Sequence, residues 1–132
     1  MSDVLEIPDL NYSDEVRFGS RPGVTFYLGS ASYFNRAAAS LLDIKNEDLI
    51  ALYYNQSRNS WYICNHPGEG TPARYLQGNF KFCDTKKIKM LFEHFQIKGK
   101  KAAFLLGAEL EKTDRPDVKT LFIKPTPFNV KP

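Results

Sequence analysis

One order of residue types runs through this chain twice, and it narrows the possible folds more than any single motif does. The order is strand, cap, helix, Ile-Lys exit, strand, turn, strand. It occupies residues 24–65 and again 75–125. In the first copy, Gly23 to Leu28 (GVTFYL) is dense in β-branched and aromatic residues, the composition of a strand. Gly29-Ser30 is a bend, and Ala31 to Phe34 leads into a helix. Asn35 is its expected N-cap, because a short side-chain oxygen can accept a free N–H of the first turn. Within Arg36 to Leu42, the residues Ala38, Leu41 and Leu42 fall on one face by the i, i+3, i+4 rule. After Ile44-Lys45, Leu49 to Tyr54 and Trp61 to Cys64 read as a hairpin around the polar turn Asn55 to Asn59.

The stretch His66 to Arg74 holds two Pro and two Gly and is expected to link the halves. Tyr75-Leu76-Gln77-Gly78 then echoes Tyr27-Leu28-Gly29-Ser30 at a spacing of 48. Asn79 to Cys83 alternates polar and apolar, as a half-buried strand does. Asp84 or Thr85 is expected to cap a second helix reaching Phe95, with Ile88, Leu91, Phe92 and Phe95 as its apolar stripe. Its exit, Gln96-Ile97-Lys98, stands 53 residues after Asp43-Ile44-Lys45, so the second helix is about one turn longer. Gly99 breaks the helix. Ala102 to Glu109 and Lys119 to Lys124 form a second hairpin, and Pro125 and Pro127 are expected to end the sheet. The reading is an α+β, mostly β fold: one barrel-like domain over 23–132, built from two βαββ repeats with one short helix each. Chance resemblance of two such stretches is the alternative to an internal duplication. Residues 1–22 read as an acidic arm carrying Asp3, Glu6, Asp9, Asp14 and Glu15, with a short edge strand at Val16-Arg17-Phe18.

Composition fits a single globular domain. Its ten Phe and seven Tyr favour pleated surfaces, and a chain of this length buries about two-thirds of its unfolded surface. Two cysteines, Cys64 and Cys83, are too few for a disulfide framework and are expected to be free thiols. The opening MSDVLEIPDL lacks the apolar region of a signal peptide, and no run approaches the roughly 20 apolar residues of a membrane helix. The net charge of +3 is uneven. Residues 1–66 carry five basic against eight acidic side chains, and residues 67–132 carry thirteen against seven. A positive half attracts polyanions, and it also serves simply to solvate a surface.

Basic and aromatic residues interleave at Arg58, Trp61, Tyr62, Arg74, Tyr75, Phe80, Lys81 and Phe82. Nucleic-acid grooves need this mixture, since cations neutralise phosphates and flat rings stack on bases. Trp61, Phe80 and Phe82 suit a core equally well. Lys86, Lys87 and Lys89 open the second helix, where free N–H groups and the positive dipole end favour a phosphate. Lys98, Lys100 and Lys101 follow that helix. Cys64, His66, Cys83 and His94 fit no zinc-ligand spacing, and a Cys–His nucleophile pair lacks an orienting third group. Asp43, Glu47 and Asp48 read as solvated loop carboxylates. Gly68, Gly70 and Pro72 lack the Gly-Lys-Ser/Thr ending of a phosphate loop. No enzyme, cofactor or metal is expected.

The first unit resembles the swapped-hairpin half-barrel of the AbrB/SpoVT transition-state regulators. The matching positions are Ser32-Tyr33-Phe34-Asn35, Ala37 to Leu42, Asp43-Ile44-Lys45, Glu47-Asp48 and Leu49 to Tyr53. FNRAAASLL and WYI also look like an uncharacterised group of bacterial and phage proteins. The resemblance implies a barrel of two interleaved units, here fused in one chain. The function expected is nucleic-acid binding, of a regulatory kind, through Arg74, Lys81, Lys86, Lys87, Lys89, Lys98, Lys100 and Lys101, with Trp61, Tyr62 or Phe80 stacking on bases where exposed. The alternative is a protein-interaction or structural module of a phage or mobile element, docking through the arm 1–22 or the Pro-rich tail. The expected setting is the cytoplasm of a bacterium or phage-infected cell, without membrane contact, with the oligomeric state left open and a homodimer as the one option named.

Overall fold

The structure, a computed structural model, describes residues 21–131. The arm and the strand expected at Val16–Phe18 lie outside the described residues, apart from Arg21 and Pro22. The chain forms β1 (Gly23–Tyr27), β2 (Ser32–Phe34), α1 (Arg36–Leu41), β3 (Leu49–Asn55), β4 (Ser60–His66), β5 (Thr71–Pro72), β6 (Arg74–Leu76), β7 (Asn79–Phe82), α2 (Thr85–His94), β8 (Lys101–Leu106) and β9 (Lys119–Lys131). This is a mostly β, α+β fold: one antiparallel, nearly closed barrel-shaped sheet with two helices.

Both helices are set by the residues read as their boundaries. Asn35 caps α1, its Oδ1 accepting the Ala38 N–H at 2.9 Å and the Gly23 N–H at 3.0 Å, while its Nδ2 donates to the Arg21 carbonyl. Asp84, rather than Thr85, caps α2 by accepting the Lys87 N–H at 3.2 Å. The two Ile-Lys exits share one geometry. Asp43 and Gln96 take left-handed φ angles of 51° and 57°. The next N–H groups reach back, Ile44 to the Ala39 carbonyl and Ile97 to the Phe92 carbonyl, with the 5→2 bonds Asp43 to Ser40 and Gln96 to Glu93 beside them. Each is a Schellman motif that satisfies the last carbonyls and tucks an isoleucine against the helix.

The strand order is β5-β3-β4-β9-β8-β1-β2-β7-β6. The order is unchanged when each strand is exchanged for its counterpart in the other unit, with β5 and β6 together matching β1. The hairpins β3–β4 and β8–β9 correspond, β2 pairs with β7 and β4 with β9, and the first strand of each unit pairs with the third of the other. Short strands besides those expected precede the helices: β2 before α1, and β5 and β6 ahead of β7. The stretch read as a link therefore supplies sheet. Residues 71–76, which start inside that stretch and end two residues beyond it, run from a partnership with β3 to one with β7. Between these, the Ala73 N–H donates to the Asp48 carbonyl and the Glu47 N–H to the Ala73 carbonyl, both at 2.7 Å. The two ends of the sheet are thereby joined through one piece of chain.

The expectation that Pro125 and Pro127 end the sheet is corrected: β9 continues through both to Lys131. The register slips on either side of Phe104, which lies opposite Pro127. A bulge leaves a residue outside the ladder, so a missing N–H is tolerated there.

The interior is an aromatic and aliphatic cluster. Phe26 meets Phe82 at 6.3 Å and Phe104 at 5.7 Å edge-on, and Phe34 stacks on Phe82 at 5.2 Å. The inward faces of the strands add Ile50, Ile63, Leu121 and Ile123, and α2 adds Ile88, Leu91 and Phe92. Alternation along each strand therefore sends the intervening residues to the outer face.

Gly70 marks the tightest approach. Its φ is +131°, and a Cβ there would lie 2.4 Å from the Ile50 carbonyl oxygen. Gly70→Ala is expected to lower unfolding stability in urea by about 3 kcal/mol through backbone strain and a backbone clash. Gly29→Ala serves as the comparison, since φ is +80° but nothing lies within 4 Å of the added atom. Its expected cost is only about 1 kcal/mol. Equal losses at the two sites would show that the β3 contact does not limit closure.

Candidate nucleic-acid interface

The basic residues expected on α2 divide between two tasks. Ile88, Leu91 and Phe92 face the core, so Lys86, Lys89 and Met90 take the exposed face. Lys87 is turned the other way, half-buried, and its Nζ donates to the Leu52 carbonyl at 3.3 Å on the edge of β3. Asp84 places its own carboxylate on the first-turn N–H of Lys87, at the helix end where a phosphate was expected to sit. Lys86 and Lys89 are the two α2 lysines that remain exposed, and the helix terminus already holds a negative charge.

A different set of the expected residues is brought together by strand register. On β6, β7 and β2, Arg74 lies opposite Lys81 and Lys81 opposite Tyr33. On β1 and β8, Tyr27 lies opposite Lys101. Because Phe26, Phe34, Phe82 and Ala102 point inward, their neighbours Tyr27, Tyr33, Lys81 and Lys101 project from the outer face. The Tyr27 and Tyr33 rings are 6.1 Å apart, and the Lys101 Nζ lies 5.4 Å from the Tyr27 ring centre. Thr25 and Ala103, next in the Tyr33 row, are buried, so the accessible strip turns from Tyr33 toward Tyr27 and Lys101. Lys100 and Lys98 are exposed beside its end, where the Lys100 carbonyl accepts the Leu28 N–H at 2.8 Å.

Arg74 and Lys81 are held loosely. Arg74 Nη1 meets Glu47 Oε2 at 3.2 Å, with both side chains more than half exposed. Such a pair contributes at most about 1 kcal/mol, and a phosphate can displace it. The Lys81 Nζ donates to the neutral Gln77 Oε1 at 3.1 Å.

Trp61 and Tyr62, expected as stacking residues where exposed, are only 3% and 5% exposed. Trp61, Tyr62, Ile63 and Cys64 are buried in succession, so both faces of β4 are covered. Trp61 points into the core beside Tyr54 and His94, and Tyr62 stacks on Tyr53 with its hydroxyl bonded to Arg58. Phe80 packs partly against the core and edge-on to Tyr75. As folded, neither Trp61 nor Tyr62 offers a free ring face. Tyr33 was missed because SASYF was read as a lead-in to the helix; the polar–apolar alternation of Ser32-Tyr33-Phe34 is too short to carry a strand signal.

A cleft of about 490 Å³ lies elsewhere, over β3, β4 and β9, lined by Tyr53, Cys64, His66, Lys87, Arg115 and Thr120 among others. His66 Nδ1 accepts the N–H groups of Gly68 and Glu69 at 3.0 and 3.1 Å, which leaves its proton on Nε2, 3.7 Å from Glu69. Burial pushes the Cys64 thiol from 9.0 to about 11, and its Sγ–H faces the Ala51 carbonyl. A thiol held neutral in this way lacks the thiolate needed for nucleophilic attack. Among the described residues no group of three or more His, Cys, Asp or Glu is placed to hold a metal ion, and no helix is long and apolar enough to cross a membrane.

No protein-family model, curated protein or solved structure matches the chain.

Thiol labelling checks the placement of the cysteines. Near pH 8 the native protein is expected to react at Cys83, which is exposed, and at Cys64 only after unfolding. The raised pKa of Cys64 means that the folded state holds its proton longer than the unfolded chain. Its contribution to stability is full below pH 9.0 and is lost as pH rises through about 11. The alkaline fall in melting temperature is therefore expected to be smaller in Cys64→Ala than in the wild type; equal slopes would remove the effect from Cys64.

Proposed function

We propose that this protein binds nucleic acid through the outer face formed by β6, β7, β2, β1 and β8. One observation carries the reading: strand register sets Arg74, Lys81 and Lys101 among Tyr33 and Tyr27 on one accessible surface. Cations so placed neutralise phosphates and release the counterions condensed on the polyanion. The rings beside them give flat, uncharged area against which a base or sugar can lie. Rigid strands hold the set in place, so little ordering opposes binding. A regulatory role belongs to the same proposal. The symmetric exchange of partners supports an origin by head-to-tail duplication.

A second reading, docking of a protein partner, draws on the exposure of Tyr75 (56%) and Leu76 (51%) beside this face. Salt separates the two. Phosphate binding weakens steeply as salt rises, whereas an apolar contact does not.

The test is Arg74→Glu combined with Lys81→Glu, followed by fluorescence anisotropy across a salt series. Affinity for oligonucleotide is expected to fall at least about 10-fold, and the dependence of log K on log salt to flatten by roughly one unit per lost phosphate contact. Lys86→Glu with Lys89→Glu, on the exposed face of α2, is expected to have the smaller effect. If the α2 pair abolishes binding and the sheet pair leaves it intact, the interface lies on the helix.

A further inference from the structure

We propose that the nucleic acid taken by this face is single-stranded, with unpaired bases lying on Tyr27 and Tyr33. The inference rests on the nucleic-acid reading above and deepens it. Shape is the first argument. The described elements of this face are five strands of one sheet, and the rings that line it are half-buried between their neighbours. Reading a duplex requires an element that enters a groove, such as a helix or a two-stranded ribbon. Bases paired and stacked within a duplex offer no ring face to such a surface, and unpaired bases do.

The second argument is the arrangement of charge around the rings. Arg74 and Lys81 lie to one side of Tyr33, and Lys101 lies beyond Tyr27. Crossing from β6 to β8 takes four strand spacings, about 19 Å at roughly 4.8 Å each. Cations at both ends of such a path, with two rings 6.1 Å apart between them, suit a flexible backbone that runs across the strands while its bases turn inward. Three phosphate contacts on a single strand correspond to a slope of log K against log salt of about −2.

The experiment compares labelled oligothymidylate and oligouridylate of about 16 nucleotides with a duplex of the same length. Fluorescence anisotropy is read on wild-type protein, on Tyr27→Leu/Tyr33→Leu and on Tyr27→Phe/Tyr33→Phe, each checked for its fold by circular dichroism. Single strands are expected to bind at least about 10-fold more tightly than duplex. The Leu variant is expected to lose about 10-fold or more in strand affinity, and the Phe variant, which keeps both rings, to retain it. The strand–duplex comparison needs no variant, so it stands even if the Leu protein fails to fold. A duplex bound as tightly as the strand, with both lost in Arg74→Glu/Lys81→Glu, overturns the single-strand inference and leaves the nucleic-acid reading intact. Folded wild-type protein that binds neither probe overturns both.

Discussion

Two backbone hydrogen bonds at Ala73, each 2.7 Å long, stand where the sheet of the described residues closes on itself. They tie the middle of segment 71–76 to Glu47 and Asp48 just before β3, while the segment's later residues go on to pair with β7. Without the segment 71–76 the sheet would keep two unpaired ends at β3 and β7, an open template for other chains. The approach is possible because Gly70 lets the chain pass against the Ile50 carbonyl, and because Ala73 is small enough to be fully buried at the crossing. The curvature that follows gives the inner face its stacked phenylalanines and the outer face its line of tyrosines and cations.

The functional surface follows from that division. A strand sends alternate residues to opposite sides, so the core residues Phe26, Phe34 and Phe82 fix where Tyr27, Tyr33 and Lys81 must point. The positions of the cations are therefore inherited from packing. On α2 the same logic works against a ligand. The amphipathic stripe fixes the helix rotation, which turns Lys87 toward the open edge of β3, and Asp84 satisfies the first turn from within. A cluster that looks uniform along the sequence is thus split by the helix that carries it.

Much of the fold was legible because its signals are local. Asn35 and Asp84 are capping residues by chemistry, and the repeated Ile-Lys exit proved to be two copies of one Schellman turn. The hairpin around Asn55 to Asn59 follows from alternation and a polar turn. What could not be read was set by distant partners. β2 and β5 have three and two residues, too few to show a period, and exist because β7 and β3 pair with them. Pro125 resides in a strand because it falls in the irregular stretch between the Phe104–Pro127 and Leu106–Ile123 pairs, and Pro127 because the register slips on either side of its partner Phe104. Trp61 and Tyr62 differ from Tyr27 and Tyr33 in what covers them, and that depends on what packs on each face of the sheet. No property of the side chains themselves distinguishes the two pairs.

The interleaving of the two units also bears on how the chain comes together. During synthesis β1 emerges long before β8, the strand that completes it, and the segment closing the far side must find β3 in the unit made first. Neither unit can therefore serve as a finished template for the other, and the late steps of folding are the ones that seal the sheet. A cut in the backbone between Pro67 and Glu69 would leave two fragments, each lacking one mate of its own first strand. Mixed together, they would still hold every complementary edge, so the complete molecule could reassemble from parts that are incomplete alone.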